Sequence, residues 1–111
     1  MTEKDDKVYL RHILDAIAKI EEYTNKIVYD EFLINTLIQD GVMRKIEIIG
    51  EATKNLSSSI REKNIHIPWK DIAGMRDKLI HGYFGVDVDA VWDTVKKDIP
   101  ILKANINKIL K

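Results

Sequence analysis

The stretch Arg76-Asp77-Lys78-Leu79-Ile80-His81-Gly82-Tyr83 decides how the rest of the chain is read. It gathers a guanidinium, a carboxylate, an imidazole and a phenol within eight consecutive residues. Arg offers a planar fork of donors that suits phosphate oxygens. His is the side chain best placed to move protons near neutral pH. Gly82 reads as a helix C-terminal stop, with Tyr83 just past the end. Such a set suits metal-free phosphoryl chemistry. Spacing alone is weak evidence, because Arg and His five apart occur in many helices. There the Arg is often a surface ion-pair residue and the His simply favours the helix dipole.

Immediately upstream, Pro68 suits the first turn of the helix that presents this stretch, where its missing N–H would be unpaired anyway. Asp71 in the same turn matches the dipole. Ile72, Met75 and Leu79 form the apolar side. On one continuous helix Arg76 and Tyr83, seven apart, project in nearly the same direction. Asp77 and His81, four apart, can touch. Arg76 and His81 are about 140° apart at 3.6 residues per turn. They converge on one phosphate only if the last turn unwinds at Gly82, or if they come from different protomers.

Further upstream, Leu10, Ile13, Leu14, Ile17 and Ile20 recur at three- and four-residue steps, predicting a first helix from about Asp5 to Tyr23. Asp5 and Asp6 sit well at its positive end. Thr24-Asn25-Lys26 reads as a turn, and Ile27-Val28-Tyr29 as a loop that packs on the helices. Asp30 is a good N-cap for a long second helix. Its apolar positions include Phe32, Leu33, Leu37, Met43, Ile46, Ile49, Ala52, Thr53 and Leu56. Gly41 and Gly50 lie inside it. Each costs about 1 kcal/mol against Ala, which implies close packing against another helix or a partner subunit. Ser57-Ser58-Ser59 weakens the helix, and Arg61 to Ile67 reads as a polar connection.

Downstream, Phe84-Gly85-Val86 turns the chain, and Asp87 or Asp89 caps a fourth helix. Ala90, Val91, Val95, Ile99, Leu102, Ile106 and Ile109 carry an apolar face to the end. Pro100 either kinks that helix or starts a fifth one, with Asp98 as the cap. The expected architecture is all-α, a four- to five-helix up-and-down bundle in a single domain, 1–111.

The bulk composition narrows the classes. A chain of 111 residues suits one domain with one core. The absence of cysteine excludes disulfides and thiolate metal sites. No apolar run approaches the roughly 18 residues that span a bilayer. The acidic, polar start of the chain has no signal-peptide core, so a cytoplasmic protein without membrane partners is expected. Zero net charge argues against a general nucleic-acid binder. The distribution is uneven. Residues 1–40 carry five Lys/Arg against nine Asp/Glu, whereas residues 41–81 carry eight against five. Two such basic segments juxtaposed in a dimer would make a positive cleft on a neutral protein. Each segment is also what a solvated helix face looks like.

The Arg-x4-His-x-Tyr pattern of Arg76, His81 and Tyr83 resembles the signature of HEPN-domain toxins of the HepT type. The flanks carry the resemblance further: Ile67-Pro68-Trp69, Ala73-Gly74-Met75, Tyr83-Phe84-Gly85-Val86-Asp87, Ile49-Gly50-Glu51-Ala52, Val91-Trp92 and Ile99-Pro100. The resemblance covers nearly the whole chain. It implies a HEPN-like helical bundle and a homodimeric ribonuclease toxin of a type VII-like toxin–antitoxin system. It also implies a cognate minimal nucleotidyltransferase as antitoxin, which attaches adenylate to Tyr83. Arg76 and His81 would be catalytic, with Asp77 orienting His81 and Glu51 supporting the site.

The chemistry is coherent with those roles. Metal-free RNA cleavage needs the 2′-OH deprotonated, the transition state met by positive charge and the 5′-oxygen protonated. His81 can act as base or acid, and Arg76 can hold the developing charge. Two-fold symmetry would supply a second His and Arg. DNA lacks the 2′-OH and should be inert. A bulky anion on Tyr83 beside Arg76 would occlude and neutralise the cleft, although Tyr83 could equally stack on a base. Glu51 can pair with Arg76 or with Lys54. His12 reads as a surface residue and His66 as a loop residue before Pro68, and Trp69 and Trp92 as core or interface aromatics. No spacing among the histidines suggests a bound metal, and no cofactor is implied. The alternative function is a non-catalytic helical subunit that binds a nucleotide or a nucleotidyltransferase partner, with Arg76 as anion anchor. A plain dimerisation domain is a third reading.

Overall fold

The computed structural model describes residues 3–80 and 85–111. Helix α1 spans Glu3–Thr24, α2 Tyr29–Ile34 and α3 Thr36–Lys54. The short helices α4 (Ser58–Lys63), α5 (Trp69–Ala73) and α6 (Met75–Leu79) follow. Helix α7 (Val88–Asp93) passes through a π-helical turn, Thr94–Asp98, into α8 (Ile99–Leu110). The architecture is all-α, as the apolar periodicity predicts.

The interior is made by α1 lying along α3, with α8 packed on α1. Leu10, Ile13, Ile17 and Ile20 of α1, Val42, Ile46 and Ile49 of α3, and Ile106 of α8 are fully buried. Each such side chain contributes about 1.5–3 kcal/mol when removed from water. Gly41 and Gly50 have the packing reason expected of them. A Cβ at Gly41 would lie 3.3 Å from the Tyr23 ring, and one at Gly50 would lie 3.0 Å from the Ala73 carbonyl oxygen.

The second helix is broken where one continuous helix was expected. Asn35 stands between α2 and α3 with φ −105° and ψ 89°, and its side chain accepts from the Ile38 N–H at 3.0 Å. Gln39 Nε2 donates to the Phe32 carbonyl at 2.8 Å, beside the Asn35 N–H that also reaches it, and to the Leu33 carbonyl at 3.1 Å. Asp30 lies inside the first turn of α2 rather than capping it. The break turns the expected core positions Leu33 and Leu37 outward, while Phe32 is fully buried.

Asp6 also behaves differently from a simple dipole residue. It is buried, and its carboxylate accepts from the Ser57 N–H at 2.8 Å and from the Ser57 hydroxyl at 2.6 Å. Ser57 in turn caps α4. One carboxylate therefore ties the start of α1 to the end of the α3 connection.

Asp87, not Asp89, caps α7, accepting from the Ala90 N–H at 3.0 Å. Pro100 is accommodated inside a continuous helix. Asp98 and Ile99 keep right-handed helical dihedrals, and the wider π turn just before Pro100 absorbs the missing N–H. Trp69 is buried and donates from Nε1 to the Asn64 carbonyl at 3.1 Å. Trp92 packs on Phe32 with ring centroids 5.1 Å apart. Among the described residues, no helix is long and apolar enough to cross a membrane.

Candidate functional site

The site is built where α3 passes the α5–α6 pair. Gly50 allows backbone contact between α3 and the end of α5, because any larger residue would press on the Ala73 carbonyl. Glu47 sits one turn before Gly50 on α3. Arg76 lies two residues beyond Gly74, which separates α5 from α6. The close approach brings Arg76 Nε to 3.0 Å from Glu47 Oε2. Arg76 Nη1 donates to Asp77 Oδ1 at 3.4 Å. The other oxygen of Glu47, Oε1, accepts from Arg44 Nη1. Glu51 pairs with Lys54 at 3.3 Å rather than with Arg76, which selects one of its two possible partners.

These side chains surround a groove of about 290 Å³, floored by Gly50 and Ala73. Glu47, Glu51 and Asp77 line it together with Lys54 and Arg76, so on a single protomer the groove is not a basic patch. Side-chain exposures of 45% for Arg76 and 35% for Glu47 leave the pair well solvated. Exposed ion pairs contribute only about 0–1 kcal/mol to folding. The network therefore orients the guanidinium more than it stabilises the bundle.

His81 and Tyr83 lie outside the described residues. The chain on either side of them is described and corrects one expectation. Helix α6 ends at Leu79, and Ile80 is already extended at φ −109°, ψ 125°. Ile80 pairs with Val86 in an isolated antiparallel bridge, and the Asp87 N–H donates to the Leu79 carbonyl at 2.8 Å. Gly85, at φ 92°, takes the left-handed conformation that glycine permits. Helical spacing therefore stops short of His81. The shared direction of Arg76 and Tyr83, and the four-residue contact of Asp77 with His81, lose their helical basis. The helix expected to stop near Gly82 ends at Leu79, and Ile80 beyond it joins the bridge to Val86. Asp77, with 81% of its side chain exposed, lies against Arg76.

Glu47 and Arg44 were not singled out from the sequence. The available signal was the four-residue spacing of Glu47 and Glu51, which puts both acids on one face of α3. His12 is exposed as expected, with its ring perpendicular to that of Tyr9 and 6.0 Å from it, and His66 is exposed too. The clear proton-affinity shift among the described groups lies on α2. The Tyr29 hydroxyl donates to Asp89, and this bond raises the phenol above its ordinary 10.0. Desolvation and the charges of Asp89, Asp30 and Asp93 push the same way.

A family model described as Ribonuclease HepT-like matches residues 13–109, nearly the whole chain. The chain belongs to the HepT-like ribonuclease family, and its bundle is HEPN-like. A "Gamma-glutamylcyclotransferase and putative RNase" of Methanocaldococcus jannaschii is 56% identical over 97% of this chain. This chain spans 49%, about half, of that relative's length. A "Probable ribonuclease HepT" of Thermococcus cleftensis is 48% identical, covering 97% of this chain and 98% of its own. A "Putative RNase" of Caldanaerobacter subterraneus is 44% identical, over 97% of this chain and 96% of its own. No solved structure matches the chain.

Proposed function

We propose that residues 1–111 form one HepT-like domain acting as a metal-independent endoribonuclease toxin in the cytoplasm. In this reading the chain works as a homodimer within a type VII-like toxin–antitoxin system. The supporting observation is a family member with the Arg76 guanidinium held at the rim of a groove, on α6, which ends two residues before His81 in sequence.

The reaction is attack by the 2′-oxygen of RNA on the adjacent phosphorus. His81 takes the 2′-OH proton, and the His81 of the second protomer delivers a proton to the departing 5′-oxygen. Arg76 meets the charge that builds on the non-bridging oxygens. One P–O bond forms as another breaks, leaving a 2′,3′-cyclic phosphate and a 5′-hydroxyl. The cognate minimal nucleotidyltransferase antitoxin transfers adenylate to Tyr83, placing an anion beside Arg76 and closing the cleft to RNA.

The test is incubation of the purified protein with mixed RNA in EDTA, beside His81→Ala. Cleavage by the wild type alone, with cyclic-phosphate ends, is expected. A dimeric sample with unmodified Tyr83 that leaves RNA intact would favour the binding-subunit alternative. Tyr83→Phe is expected to retain cleavage and escape silencing by the antitoxin. Continued covalent silencing of that variant would remove Tyr83 as the target.

A further inference from the structure

The ribonuclease reading needs Arg76 in a fixed place, and among the described residues two carboxylates reach it, Glu47 at 3.0 Å and Asp77 at 3.4 Å. Glu47 Oε2 lies 3.0 Å from Arg76 Nε, while Glu47 Oε1 accepts from Arg44 Nη1. We propose that Glu47 is a positioning residue of this site. It anchors Arg76 and holds Arg44 beside it, so that two guanidiniums face neighbouring phosphates of one single-stranded RNA. The inference rests on the ribonuclease reading and deepens it.

Three features carry it. First, two like charges this close repel each other, and only a carboxylate between them makes the pairing favourable. Both guanidiniums sit on the two oxygens of one carboxyl group, so they are no farther apart than adjacent groups along a strand. Second, Glu47 engages the Nε side of Arg76, and a phosphate takes the Nη end of the fork. The competing Asp77 contact there is long, 3.4 Å, and its carboxylate is exposed and easily displaced by water or ligand. Third, Arg44, Glu47 and Glu51 also line a shallow groove between α1 and α3, together with Tyr9 and His12. That groove meets the Arg76 groove along Glu47 and Glu51. A strand leaving Arg76 therefore has a continuous path past Arg44. The half-buried Tyr9 ring and the exposed His12 line that path and can meet an unstacked base.

The experiment compares wild type, Glu47→Ala, Glu47→Gln and Arg44→Ala on a single-stranded RNA. Initial rates and equilibrium binding are measured across a salt series, with thermal unfolding as the folding control. Glu47→Ala is expected to unfold like the wild type and to lose roughly 10- to 100-fold in kcat, the scale of a misplaced catalytic group. Glu47→Gln should recover part of that loss, because its amide oxygen can still meet the guanidinium. Arg44→Ala should act mainly on KM. It should also reduce the slope of log affinity against log salt by about 0.7, one phosphate on a single strand. Glu47→Ala cleaving as fast as wild type, or faster, would overturn the proposal and mark the carboxylate as a bystander or a brake. An unchanged salt slope in Arg44→Ala would overturn the paired contact. A wild type that binds RNA without cleaving it would sink the ribonuclease reading separately. The binding arm would then still decide, with affinity unaffected by either alanine variant counting against the proposal.

Discussion

Ile17, Ile46 and Ile106, shared among α1, α3 and α8, expose none of their surface. Arg76 and Glu47, where α3 meets α6, keep about half and a third of their side chains in solvent. Both regions use α3, yet they draw on different physics. The interior gains free energy from apolar area removed from water, with no directional demand. The rim gains little free energy and instead sets the direction of a charged fork. Folding and chemistry should therefore respond to different mutations, and only residues at the border should disturb both.

The largest effect on stability should come from inside. Ile46→Ala removes a wholly buried side chain from α3 and should cost about 2–5 kcal/mol in urea unfolding. A loss below about 1 kcal/mol would mean that the interior collapses around the gap. Next comes the border. Gly50→Ala gains about 1 kcal/mol in helix propensity. Its new methyl, however, would stand 3.0 Å from a backbone oxygen that has no side-chain freedom to yield. A net loss of about 1–2 kcal/mol is expected from that overpacking, together with slower RNA cleavage as Arg76 shifts away from Glu47. Full stability and full activity in this variant would break the link between helix spacing and site geometry.

At the rim, Arg76→Ala should change unfolding by less than about 1 kcal/mol while abolishing cleavage. Strong destabilisation would show that the network has a structural role. The smallest effect is at Tyr29, where the hydrogen bond to Asp89 raises the phenol pKa. A raised folded pKa contributes stability fully below the unfolded value. That contribution is lost as pH rises through the folded value, so any effect lies above about pH 10. Tyr29→Phe should flatten that alkaline limb and leave the neutral range unchanged. An alkaline limb identical in both proteins would assign it to other groups.

Much of the bundle was legible along the chain. The stripe Leu10, Ile13, Ile17 and Ile20 is buried as its spacing predicts, and so is the run Val91, Val95, Ile99, Leu102 and Ile106, while Leu14, Ala90 and Ile109 of the same stripes are half-buried. Asn35 was missed as a helix break because it carries neither Gly nor Pro. Its effect needs both its own cap and the reach of Gln39 back to α2. Pro100 was seen as a disturbance, but its resolution by a π turn, with helical dihedrals kept through Asp98 and Ile99, was not. In the candidate site, Arg76, Asp77 and Glu51 were all visible as residues. Glu47 as the acid that meets Arg76 was not.

The sequence by itself determined an all-helical chain and the kind of chemistry its central stretch can support. Helical periodicity is a local property, and so are the functional groups of Arg76 and Glu51. Only the tertiary structure decided that Glu47, one turn before Gly50, reaches the guanidinium while Glu51 turns to Lys54. The two acids lie four residues apart on one face of α3 and are equivalent in sequence terms. What separates them is the distance and offset between α3 and α5, set by the contact of Gly50 with the Ala73 carbonyl.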